Sequence, residues 1–247
     1  MAHSSDRTHS FARPFLAAIA VLTVGVLLML SGSGPAPANA WPDTAAVKKT
    51  KPKSDAPRPA IDQRRIPFGK KRKHEMASYS KRHYGKREWR LRKPMVIVQH
   101  YAVTATLGGI FNTFRTDQPD VEFGELPNVC SHFAVDNKGR IQQFVSLRIR
   151  CRHTVGLNDR SIGIEHTGFS DGQVLSDKDQ MHNSLKLTKW LRCKYDISIR
   201  NVIGHNESLS SPYHHERIKR FKRQTHGDFK RSAMQKYRKQ LRNLGQC

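Results

Sequence analysis

The basic residues of this chain are gathered into two blocks, and that segregation limits where a core can form. Lys48 to Lys93 holds 18 lysines and arginines against 4 acids, and Tyr213 to Cys247 holds 11 against 2, whereas Pro94 to Pro212 holds 13 against 12. The near-neutral middle also carries the apolar runs, so the single core of about 150 residues that such a chain can support is expected within 94–247. The first block contains Pro52, Pro57, Pro59 and Pro67 among few aliphatic side chains. Such composition buries too little apolar surface to offset the entropy of ordering, so residues 41–93 are expected to be a disordered, basic Pro/Lys-rich linker. On that reading residues 48–87 are dispensable to the chemistry of the domain at 94–247.

A net charge of +24 over 247 residues is too high for an ordinary cytosolic enzyme and points to a polyanionic partner: nucleic acid, a membrane surface or an anionic polymer. The N-terminus narrows the choice. Phe15 to Leu30 is uncharged and apolar, follows Arg7 and Arg13, and precedes a Ser/Gly stretch and Ala38-Asn39-Ala40. This is the layout of a signal peptide over residues 1–40, cleaved after Ala40, and the run falls short of the roughly 20 residues of a spanning helix. The alternative is an uncleaved anchor. Either way the chain is expected outside the cytoplasm, periplasmic or extracellular and wall-associated. Nucleic acid is then not an expected partner, whereas anionic wall polymers or a membrane surface, reached through the basic linker, are.

Within the middle segment, Met95-Val96-Ile97-Val98 reads as a buried strand delivering His100. Leu107, Ile110, Phe111 and Phe114 recur on one helix face, with Thr104 or Thr106 as its cap. His132–Asp136 and Ile141–Val145 form a hairpin around Gly139, and Ser161–His166 is a further strand. Ser176 and Asp179 resemble a capping box opening a helix through Met181, Leu185, Thr188, Leu191 and Tyr195. Ile197–Ile203 reads as a strand ending at Gly204-His205, and Met234, Tyr237, Leu241 and Leu244 mark a basic last helix. Strands alternating with helices, plus one hairpin, predict an α/β fold: a mixed central sheet covered by helices. Cys130 and Cys151 flank the hairpin and can meet at its open end, but four cysteines allow three pairings and the sequence selects none.

His100, Glu165 and His205 stand at the ends of apolar strands, where open α/β sheets place their sites. Two imidazoles and a third ligand from Thr225-His226-Gly227-Asp228 have the donor types of a zinc site with one open position. His132 begins a strand and is expected to be structural.

The ordered series Ile97-Val98-Gln99-His100-Tyr101, Ser131-His132-Phe133-Ala134-Val135-Asp136 with Gly139, His153, Asn158, Ser161-Ile162-Gly163-Ile164-Glu165 and Val202-Ile203-Gly204-His205 resembles the zinc-dependent N-acetylmuramoyl-L-alanine amidases, a family that includes peptidoglycan recognition proteins. The resemblance implies Zn2+ on His100 and His205, a catalytic carboxylate at Glu165, and a groove for peptidoglycan. It implies hydrolysis of the amide between N-acetylmuramic acid and L-alanine, or, alternatively, peptidoglycan binding without turnover. Ungapped alignment makes His226 the third ligand, with Asp228 as the alternative. Gln224 stands where the family commonly has a lysine, so Gln224, Arg223 or His153 is expected to serve the developing oxyanion. Tyr101, His153 and Asn158 are the expected substrate-binding residues.

Overall fold

The computed structural model describes residues 56–247, so the proposed signal segment and residues 41–55 lie outside the described residues. The elements, in order, are β1 (Asp62–Gln63), α1 (Lys70–Tyr84), β2 (Val96–Tyr101), α2 (Leu107–Arg115), β3 (Phe133–Val135), β4 (Ile141–Gln143), β5 (Ser161–His166), α3 (Asp171–Ser176), α4 (Lys178–Tyr195), β6 (Val202–Gly204) and α5 (Arg231–Asn243). The strands form one six-stranded sheet in the order β1-β4-β3-β5-β2-β6. Only the β3–β4 hairpin is antiparallel, so the sheet is mixed, as the alternation of strand and helix patterns predicts.

Side-chain alternation along the strands assigns the two faces. Ile97, Phe133, Val135, Ile162 and Ile164 point to one face and pack with Leu185, Leu191, Met234, Tyr237 and Leu241 of α4 and α5. The residues between them point the other way. There Ala134 meets Leu107, Ile110 and Phe114 of α2, while Val96 and Val98 meet Leu157 and Ile203. His100 and Glu165 belong to this second face and are register partners across β2 and β5.

Several local expectations hold. Thr106 caps α2 by accepting from the Gly109 N–H, and Gly139 turns the hairpin at φ 71°. Two need correction. Ser176 closes α3 rather than opening the next helix, because Asp177, one residue on, accepts from the Gln180 N–H and caps α4. The expected strand from Ile197 is a short turn over Ile199–Asn201, and only Val202–Gly204 pairs with β2.

The larger correction concerns residues 56–93, which are folded and not a linker. In α1, Arg72, Met76, Tyr79, Ser80 and His83 are buried at three- and four-residue spacing while most of the lysines face water. Composition averages over both faces of a helix and so hides a buried stripe. One basic residue is itself used inside: Arg72 donates to the carbonyls of Phe114 (2.9 Å) and Asn128 (3.2 Å). Ala56 and Leu91 join the main core, and β1 extends the sheet beside β4.

The cysteines pair as Cys130–Cys151 and Cys193–Cys247, the first joining the two ends of the hairpin segment, the second tying the chain end to α4. Among the described residues no helix is long and apolar enough to cross a membrane.

Candidate metal centre and groove

Three polar residues converge where β2 and β6 end. His100 is the penultimate residue of strand β2, His205 directly follows β6, and Asp228 comes from the loop before α5. One ligand atom from each lies within 4.8 Å of the other two, and all three residues are buried. Asp228 Oδ2 is 3.1 Å from His100 Nδ1, and its Oδ1 is 3.4 Å from His205 Nδ1. Burial alone would raise the Asp228 pKa, but the two imidazoles outweigh it and hold the carboxylate well below the ordinary range.

Two glycines make this geometry accessible. A Cβ on Gly204 would collide with the Phe229 carbonyl, so only glycine lets the 225–229 loop cross close enough to bring Asp228 beside His205. Phe229 sits at φ 51°, an unusual conformation for a bulky residue, and its ring is fully buried against Tyr101, His166 and Tyr237. A Cβ on Gly163 would press to 2.8 Å from His153 Cγ, so the bare backbone there admits the His153 ring against the sheet.

Of the two candidates for the third position, Asp228 and not His226 stands beside His100 and His205. The His226 side chain is 42% exposed, stacks on His205 at 4.5 Å and faces Glu122 across 3.1 Å, outside the three-residue cluster. The Thr-His-Gly-Asp sequence offers both donors; the turn through Gly227 sends the histidine out and the aspartate in.

The triad fits a zinc ion by its chemistry. It supplies two imidazoles and a carboxylate, with three protein ligands leaving a fourth position open. The Nδ1 atoms of both histidines face the Asp228 carboxylate, so the donors converge on one point.

Glu165 lines the same cavity and is 8% exposed. Burial pushes its pKa up to about 7, with His100 pulling it down and Asp228 pushing it further up. A carboxyl in that range can both take and return a proton near neutrality. The cavity, of about 350 Å³, runs from His226 and Gly227 past the triad to Ile110, Phe114 and Val129. Tyr101 and His153 line it. His153 also touches the cluster: its Nδ1 lies 3.1 Å from His100 Nε2 and 2.9 Å from the Thr154 hydroxyl. Burial, then the charges of His100, His132 and His205, lower its pKa well below the ordinary value and keep it neutral.

Three other expected site residues are elsewhere. Asn158 is 1% exposed and cannot meet a substrate; its Oδ1 accepts from the His153 and Thr154 N–H groups, and its Nδ2 donates to the Tyr79 hydroxyl. Arg223 is exposed and lines neither the groove nor its neighbour. Gln224 lines a small side cavity of about 60 Å³ that shares His153, His205 and His226 with the groove, and its amide nitrogen is 3.5 Å from Glu122. Sequence reasoning missed Arg152, which lines both cavities, and Thr154; their place beside His153 was the available signal. His132 is structural, fully buried between the Ile149 carbonyl and the Gly163 N–H.

A family profile described as N-acetylmuramoyl-L-alanine amidase matches residues 90–220. No curated protein matches the chain. Similar solved structures include the endolysin N-acetylmuramoyl-L-alanine amidase LysCS from Clostridium intestinale, 18% identical over 62% of this chain and 84% of its own, with a TM-score of 0.41. A mutant endolysin from Bacillus subtilis is 25% identical over 60% of this chain and 84% of its own, TM-score 0.40. An AmpD derivative is 17% identical over 76% and 97%, TM-score 0.45.

Proposed function

Because the chain belongs to the N-acetylmuramoyl-L-alanine amidase family, we propose that it is an exported zinc-dependent hydrolase of the amide joining N-acetylmuramic acid to L-alanine in peptidoglycan. The observation that carries this reading is the buried Glu165 carboxyl in one groove with the His100, His205 and Asp228 donor set.

Zinc on that triad would supply Lewis acidity, which polarises an amide carbonyl and acidifies water. Glu165 is poised to accept the proton of the attacking water and then to give it to the departing L-alanine amine, so acid and base are one group used twice. Asp228 and its two imidazole partners hold the donor atoms in place before substrate arrives. Tyr101 and the apolar end at Ile110, Phe114 and Val129 bind the substrate's uncharged parts. Neutral His153 positions His100 and has no free N–H for the oxyanion, because its Nδ1 meets His100 Nε2 and the Thr154 hydroxyl and its Nε2 meets the Ser161 hydroxyl. The two disulfides fit an oxidising compartment, in keeping with export.

The test combines metal content with free amino termini released from purified peptidoglycan. Glu165→Gln is expected to keep zinc and lose about 10²–10⁴-fold in rate. Asp228→Ala is expected to lose zinc, and His226→Ala to keep it. Full activity in Glu165→Gln, or activity of the wild type that survives a chelator, would sink the proposal. The absence of a lysine at Gln224 favours a second reading, binding without turnover; it predicts that wild type retains peptidoglycan yet releases no amino termini.

A further inference from the structure

A second cavity, of about 300 Å³, lies between β6, the turn that follows it, and α5, and shares no lining residue with the groove. Three guanidinium groups, Arg200, Arg231 and Arg238, meet there with one carboxylate, Glu207. That carboxylate is already committed. It accepts from Arg238 at 2.7 and 3.0 Å and lies 3.3 Å from the Gly204 N–H, while Arg238 also donates to the Val202 carbonyl. Arg231 Nε stands 3.9 Å from Glu207, beyond hydrogen-bond reach, and its side chain is 70% exposed. The side chain of Arg200 reaches only the Ser198 hydroxyl, at 3.4 Å. Three guanidinium groups thus share a single carboxylate that Arg238 already holds, a surplus of positive charge around one concavity that an anion would relieve.

Arginine forks match phosphate oxygens in pairs, and the concavity is far larger than a bare phosphate needs. The rest of its wall is uncharged: apolar Ile203 and Pro212 stand beside Asn201, Ser210, Ser211 and Gln235, whose amides and hydroxyls suit an alcohol-rich group. We propose that this cavity binds a phosphate ester of a small polyol, as a site separate from the groove. Phosphate esters of this kind occur both in extracellular polymers and in lipid headgroups, and the site reads the chemistry they share.

A chain of charge +24 attracts any anion, so the test must separate a built site from general attraction. The full-length protein is titrated with glycerol 3-phosphate and with inorganic phosphate at about 0.15 M salt, where distant charges are screened. Arg200→Ala/Arg231→Ala is compared with Lys236→Ala/Lys239→Ala, which removes equal charge from exposed positions of α5 outside the cavity. Glycerol 3-phosphate is expected to bind saturably, with at least about tenfold loss in the arginine pair and less than about twofold in the lysine pair. Thermal midpoints check that both variants fold. Absence of saturable binding, or equal loss in both pairs, overturns the site. Inorganic phosphate binding as tightly as the ester overturns the polyol assignment. Sedimentation with phosphatidylglycerol against phosphatidylcholine vesicles then names the source: arginine-dependent capture supports a lipid headgroup, and no capture with glycerol 3-phosphate binding intact supports a soluble or polymeric ester. Peptidoglycan hydrolysis is read separately, so this proposal and the hydrolytic one fail independently.

Discussion

Tyr79 is the residue on which the folded status of the first basic block is best tested. It lies on α1, fully buried, with its ring stacked on His83 at 3.8 Å and the Arg152 guanidinium 4.8 Å from its centroid. Its hydroxyl accepts from Asn158, which in turn holds the backbone of His153 and Thr154 beside His100. Tyr79→Phe keeps the ring and strands one buried amide donor, a cost of about 1–3 kcal/mol. Tyr79→Ala also opens a cavity the size of an aromatic ring, a cost of about 3–5 kcal/mol. For a domain of this length each kcal/mol lowers the thermal midpoint by about 2–4 °C, so the alanine variant should melt roughly 6–20 °C early. Urea unfolding followed by tryptophan fluorescence gives the free energies, and a calorimetric scan the midpoints. A Tyr79→Ala variant within about 0.5 kcal/mol of wild type, as at a solvated position, would refute the packing of α1 onto the domain. The same packing means that deleting residues 48–87 should unfold the protein instead of merely loosening its attachment to a wall.

Gly204→Ala should push the 225–229 loop away from His205 and weaken zinc retention by about 10–100-fold, read by competition with a chelator while circular dichroism stays native. Burial holds His132 near a pKa of about 4, below the 6.5 of an unfolded histidine, so the folded state binds fewer protons between those values. Stability is then full above about pH 6.5 and falls as pH drops toward 4; His132→Gln should remove about 3 kcal/mol of that dependence, measured by urea midpoints across the range. Cys247→Ser opens the loop of 54 residues closed on Cys193 and should cost roughly 2–4 kcal/mol in the same assay.

Local signals carried much of the architecture. The run from Val96 and the Ser161-Ile162-Gly163-Ile164-Glu165 stretch are strands in parallel register, and that register puts His100 opposite Glu165 on one face. Burial periodicity in α4 and α5 was legible because their apolar residues recur every three or four positions. The α1 stripe has the same period, yet it is built from Met76, Tyr79 and His83 within a run of lysines, so composition outweighed pattern.

The sequence by itself determined which strands end in chemistry and which residue types stand there, because an apolar run followed by His or Glu forces a polar group to a sheet end. Only the tertiary structure decided which donor completes the triad. His226 and Asp228 are two residues apart, and the choice between them follows from Gly204 admitting the Phe229 carbonyl and from the buried Phe229 ring fixing the loop. Tertiary packing likewise decided that Asn158 is a bracket and Arg223 a surface residue. Each depends on what lies across the chain from it: Tyr79, 79 residues away from Asn158, and open solvent around Arg223.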